Sequence, residues 1–161
     1  MIIEVTNKLA VNLNVRNWCK FPYPGHPNGC PNFGKSKTCP PKVGIVTEIF
    51  DLGKPHWFAV MEFDIAYHAD RMKNLHPQWS EKQCRCCLYW QNTVRKNLRI
   101  MCDDFIGSKN FYAYTLIPEA MGVNVFRTAH RVGVMLRRVI VHKLYKIALI
   151  GSTKTAKGEA D

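Results

Sequence analysis

Acidic residues are scarce in this chain: 12 Asp and Glu stand against 23 Lys and Arg, for a formal charge of +11. That imbalance favours an anionic partner, such as a nucleic acid, a nucleotide or another acidic molecule. It also suits a protein whose cationic excess offsets a negatively charged cofactor. No apolar run reaches the ~18 residues of a membrane helix, so no membrane span is expected. The start, Met-Ile-Ile-Glu-Val-Thr-Asn, lacks a basic region followed by an apolar stretch, which predicts no signal peptide and a cytoplasmic protein. There is no internal repeat, no linker, no Ser-His-Asp signature and no dinucleotide-binding glycine motif. The expectation is one domain over 1–151 and a polar tail over 152–161.

What is present is cysteine. Seven in 161 residues is an odd count for a disulfide scaffold, and a chain of this length can bury an adequate core without cross-links. Free thiols or metal ligands are the better reading. Three of them, Cys19, Cys30 and Cys39, fall in a segment over 19–41 that is too rich in Pro and Gly for helix or strand. Such a segment has little apolar surface to bury, and thiolate–metal bonds would hold it in shape.

The spacing narrows the metal. Ten residues separate Cys19 from Cys30, and eight separate Cys30 from Cys39. The tight Cys-x2-Cys turn of zinc ribbons is missing from this loop. Wide spacing, with Pro after Cys30 and Cys39, suits a loop wrapped around a larger object. The expected cofactor is a [4Fe–4S] cluster, with zinc as the alternative. The fourth ligand is sought at Cys84 or Cys87, three apart on an expected long helix; His26 and Cys102 are weaker candidates. Arg16, Lys20, Lys35, Lys37 and Lys42 lie near the loop cysteines and are the expected anion or substrate contacts. Gly29–Ser36 also matches the phosphate-loop pattern G-x4-G-K-[ST], but Pro residues flank it where a strand and a helix are required, so the match reads as accidental.

The rest of the chain reads as α+β: a single compact domain with a small, mostly antiparallel sheet, a long amphipathic helix and the Pro/Gly-rich cysteine loop. Residues 2–15 alternate loosely, as one or two short strands do. Residues 43–50 suit a strand or a short helix. Residues 56–65 form the clearest strand, with Trp57, Ala59, Met61, Phe63 and Ile65 on one face. Helix follows from Asp64 to His76. Ser80 and Gln83 form a capping box that opens the expected long helix, and Gly107 closes it. Strands are expected over 111–117 and 139–150, with a turn and short helix over 118–131. Asp103, Asp104 and Glu119 read as solvated or capping groups before acid–base ones.

The run Gly29-Cys-Pro-Asn-Phe-Gly-Lys-Ser-Lys-Thr-Cys-Pro-Pro41 resembles the C-P-x-Y-G-K…C-P-P signature of the uncharacterised predicted metal-binding proteins of bacteria and archaea, a domain of unknown function. Pro118-Glu-Ala-Met-Gly-Val-Asn-Val-Phe-Arg-Thr-Ala129 is similar to that family's second signature. The resemblance implies a metal, an iron–sulfur cluster foremost, and no particular reaction. Many relatives carry a second, ferredoxin-like cysteine group; this chain instead reads Trp79-Ser-Glu-Lys-Gln-Cys-Arg-Cys-Cys-Leu-Tyr-Trp-Gln91 there.

Three functions are compatible with these features. The favoured one is redox or sulfur-handling chemistry on an anionic, nucleotide-like or RNA-like substrate. A zinc-stabilised module that binds nucleic acid without catalysis is the first rival. A small electron-transfer partner of a larger redox protein is the second. Oligomeric state is not legible from the sequence.

Overall fold

The computed structural model describes residues 1–22, 27–109, 111–136 and 141–154. Its organising pair is β2 (His56–Asp64) against β4 (Lys143–Ser152), antiparallel over nine positions from His56↔Gly151 to Asp64↔Lys143. β1 (Ile2–Glu4) joins the free side of β2, and β3 (Tyr112–Thr115) joins β4. The sheet order among the described residues is β1-β2-β4-β3, antiparallel throughout. The α+β architecture therefore stands as read. At the open end of the long pair, Lys143 Nζ meets Glu62 at 2.6 Å, and the Tyr145 hydroxyl donates to Glu62 at 3.2 Å.

Both faces of the central strands are covered. On one, Leu98, Cys102 and Ile106 of α4 (Gln91–Ile106) pack on Ala59, Ala148 and Ile150. On the other, Phe58, Val60, Ile147 and Leu149 meet Val5, Phe50, Met121 and Val125. The second face carries α1 (Val46–Ile49), a 3-10 turn Pro118–Met121 and α5 (Val125–Arg131). The alternation of Trp57, Ala59 and Met61 reported one buried face; Phe58 and Val60 are buried as well. A centrally placed strand covered on both faces loses its polar alternation.

Several boundaries differ from the sequence reading. Residues 13–20 are a 3-10 helix, Leu13–Lys20, rather than strand, so Cys19 lies at the end of a helical turn and the loop proper begins after it. The Asn12 side chain accepts the Asn14 N–H and starts that turn. Asp64 caps α2 (Ile65–Leu75) as expected. The last strand continues to Ser152, and Thr153 bridges Phe50, so the tail expected from 152 starts two residues later; 155–161 lie outside the described residues.

The expected long helix is broken. Ser80 and Gln83 do form the capping box, but α3 (Glu81–Cys84) stops after one turn, and a 3-10 turn Cys87–Tyr89 precedes α4. The break is tertiary in origin. The Trp90 ring stacks on Phe63 with centroids 5.1 Å apart, and its indole N–H donates to the Arg85 carbonyl. That carbonyl is thus taken at the point where a continuous helix would use it. No helix of the described residues is long and apolar enough to cross a membrane.

Candidate functional site

The cysteine loop is held by backbone geometry. The Cys30 N–H donates to the Cys19 carbonyl at 2.6 Å, closing the loop on the 3-10 helix. Gly29 makes this closure possible. Its φ is +79°, and a Cβ there would lie 2.6 Å from the Cys19 carbonyl oxygen and 2.7 Å from Lys20 backbone atoms. Only glycine fits so close an approach in that conformation. On the far side, Cys39 N–H donates to Ser36 O, Val43 N–H to Cys39 O, and Gly34 N–H to Pro40 O. Arg16 ties the two sides together, donating to the Val43 carbonyl at 2.6 Å and the Pro41 carbonyl at 3.2 Å.

The result brings Cys19, Cys30 and Cys39 within electrostatic reach of one another. Burial raises the Cys19 pKa first; the charges of Cys30, Cys39 and Glu119 raise it further. All three thiols are free and half-buried. Among the described residues no three His, Cys, Asp or Glu side chains converge on a point where one ion could sit. The trio is a set of soft donors close enough to repel one another as anions.

The five predicted cations divide by role. Arg16 holds loop carbonyls. Lys42 donates to the Lys35 carbonyl at 3.1 Å, and the Lys20 ammonium lies over the Phe33 ring at 4.9 Å. Lys35 and Lys37 are exposed. The Gly29–Ser36 stretch is a series of turns with no helix after it, as the flanking prolines imply.

The predicted fourth ligands are corrected in their arrangement. Cys84 and Cys87 do not share a face of one helix, because α3 ends at Cys84 and Cys87 opens a separate turn. Cys84 is fully buried where α3 packs on α2, and Cys87 is exposed. Cys102 belongs to the α4 core, where burial pushes its thiol up to about 12. His26 lies outside the described residues.

Next to Cys19 lies a feature the sequence did not disclose. β3 pairs only with Leu149–Ser152 of β4, so the stretch 143–148 has no strand on that side among the described residues. A cavity of about 490 Å³ occupies this edge, walled by Trp18 and Phe21, which flank Cys19 closely in sequence, and by Phe126 and Tyr145. Glu119 and Lys146 also line it. Burial raises the Glu119 pKa, and Lys146 only partly offsets this. Burial, then the Arg95 charge, lowers the Lys146 pKa, against the opposing pull of Glu119 and Cys87. Burial thus disfavours the charged form of both groups. Of the predicted fourth ligands, Cys87 acts on Lys146 but does not line the cavity. The sequence signal was the Pro118-Glu119 turn, read as capping; Lys146 is one polar residue in an apolar strand and carries no motif.

No protein-family model matches the chain, and no curated protein or solved structure proved similar to it.

Proposed function

We propose that the chain binds a thiolate-ligated [4Fe–4S] cluster through Cys19, Cys30 and Cys39, and serves redox or sulfur-handling chemistry on an anionic, nucleotide-like or RNA-like substrate. The observation that carries this reading is the gathering of three free thiols beside a cavity with a basic and an acidic group at its wall. Mutually repelling thiols are stabilised as thiolates by a cationic metal centre. A single zinc ion needs donors converging on one point. A cubane takes its thiolates at separate iron corners, so a wider trio suits it better. When bound, the cluster would supply electrons or hold sulfur. The protein's own part lies in the cavity: Lys146 attracts the anion, Glu119 gives or takes a proton, and Trp18 and Phe21 shield the Cys19 side from water. The resemblance to predicted metal-binding proteins supports the same reading.

Anaerobic purification followed by absorption spectroscopy and metal analysis tests it. The expected protein is brown, with a broad band near ~400 nm and about four irons per chain. Serine at all three loop cysteines removes both. Unchanged iron in that triple variant overturns the ligand assignment. A colourless protein with one zinc favours the nucleic-acid-binding module, for which the net charge of +11 is the supporting observation.

A further inference from the structure

A second cavity, of about 480 Å³, lies between α4, β3 and the cysteine loop. Arg95 and Arg99, one turn apart on α4, line it together with Thr38, Tyr114 and Thr115. Its remaining wall is apolar and includes Val43, Ile49 and Met121. The two ion pairs among the described residues use Glu81 and Glu62, and neither involves Arg95 or Arg99. Asp103 is a nearby countercharge and acts on Tyr114, as does Arg99. Against it stand two guanidiniums, with the Lys146 ammonium close enough to Arg95 to feel its repulsion. Two guanidiniums one turn apart, in no ion pair among the described residues and with Asp103 as a nearby countercharge, face a cavity with an apolar far wall. A ligand with charge at one end only matches that arrangement.

We infer that this cavity binds a phosphate monoester with an apolar or aromatic body, the phosphate held by Arg95 and Arg99 and the body lying against Val43, Ile49 and Met121. Guanidinium forks match phosphate oxygens two at a time, and two forks one helical turn apart can share one dianion. The Thr38 and Thr115 hydroxyls add neutral donors at the wall. Thr38 precedes Cys39, so the ligand would lie against the cysteine loop. This inference rests on the reading above only in taking the ligand to be anionic; it does not need the cluster.

Calorimetric titration of the full chain with phenyl phosphate, inorganic phosphate and phenol tests it. Phenyl phosphate should bind at least about tenfold tighter than inorganic phosphate, with phenol not detected at about 10 mM. Arg95→Gln with Arg99→Gln should weaken phenyl phosphate at least about tenfold, while Lys8→Gln with Lys82→Gln should change it by less than about twofold. Both pairs are exposed, and circular dichroism checks that each variant folds. Equal binding of phenol, weakening by the Lys8 and Lys82 pair alone, or no binding of phenyl phosphate overturns the inference. Repeating the titration on the Cys19, Cys30 and Cys39 serine variant separates the two proposals. A colourless chain that binds phenyl phosphate through Arg95 and Arg99 keeps the anion site and loses the cluster. A brown chain that binds none keeps the cluster and loses the anion site.

Discussion

The two halves of this molecule are held together by different physics. Around α4 and the β2–β4 pair, side chains such as Phe58, Leu98, Leu149 and Ile150 are almost completely removed from water, each worth roughly 1.5–3 kcal/mol. Around the cysteines, the restraints are backbone hydrogen bonds, the close approach at Gly29 and the Arg16 clamp. Burial sets the first half regardless of what the protein binds. The second half keeps its three thiols half-buried and unbridged, and under the proposed function a bound cluster would add most to its stability.

The largest expected effect tests that contrast directly. Leu98→Ala removes a side chain that is 1% exposed at the centre of the α4 face and should cost about 3 kcal/mol. Cys39→Ser in metal-free protein should cost less than about 1 kcal/mol, because this half-buried side chain lies outside the core and serine nearly keeps its volume. Urea unfolding of both, without metal, measures the difference. A Cys39→Ser loss as large as that of Leu98→Ala would mean that the loop belongs to the cooperative core.

Two glycines sharpen the comparison at the next level. A Cβ at Gly151 would press on the His56 ring and lie 3.0 Å from Phe50 Cδ1, inside the core. Gly151→Ala should cost about 2 kcal/mol by overpacking, read as a lower urea midpoint. Gly29→Ala creates a clash of the same kind against Cys19 and Lys20, but in the loop. It should move Cys30 away from Cys19 and relieve both the burial and the thiol repulsion that raise the Cys19 pKa. Cys19 should then be alkylated faster near pH 8 in metal-free protein. Peptide-resolved mass spectrometry reads the rate; an unchanged rate would show that Gly29 does not set the thiol spacing.

A smaller effect concerns the broken helix. Ser80→Ala removes the cap of α3 and should cost about 1 kcal/mol. This element also shows how far the sequence could be read. The capping box is a local signal and appears where Ser80 and Gln83 put it. The stop after Cys84 depends on Trp90 meeting Phe63 from β2, a contact between segments remote in sequence. The same division runs through the site. Proline, glycine and cysteine spacing marked the loop, because those residues restrict the backbone wherever they occur. Glu119, Lys146, Arg95 and Arg99 went unmarked, because single charged residues gain meaning only when the fold brings them to a cavity.

The smallest effect is a pH slope, with an acid limb set by the packed half and an alkaline limb to which the loop contributes. His56 is 2% exposed; its Nδ1–H reaches the Lys54 carbonyl at 2.7 Å, and Nε2 has no partner. Burial pushes its pKa below the ordinary value, against the weaker upward pull of Lys54 and Asp51. The unfolded chain therefore takes up this proton first as pH falls. The stability tied to neutral His56 is complete above about pH 6.5 and declines as pH drops below it towards the folded value. His68, also shifted down by burial, adds to the slope, and Glu119, shifted up, opposes it above the ordinary carboxylate range. In the loop, Cys19 is shifted up, so the folded metal-free chain holds that proton longer and loses stability as pH rises past about 8.5. The urea midpoint should fall from about pH 7 to about pH 5.5, and His56→Asn should flatten that limb only. Cys19→Ser should flatten part of the alkaline limb and leave the acid limb unchanged; Cys102, raised to about 12 in the α4 core, carries the rest of it. If either variant flattened both limbs, the two halves would be one electrostatic unit, and the contrast between a packed half and a ligand-dependent half would fail.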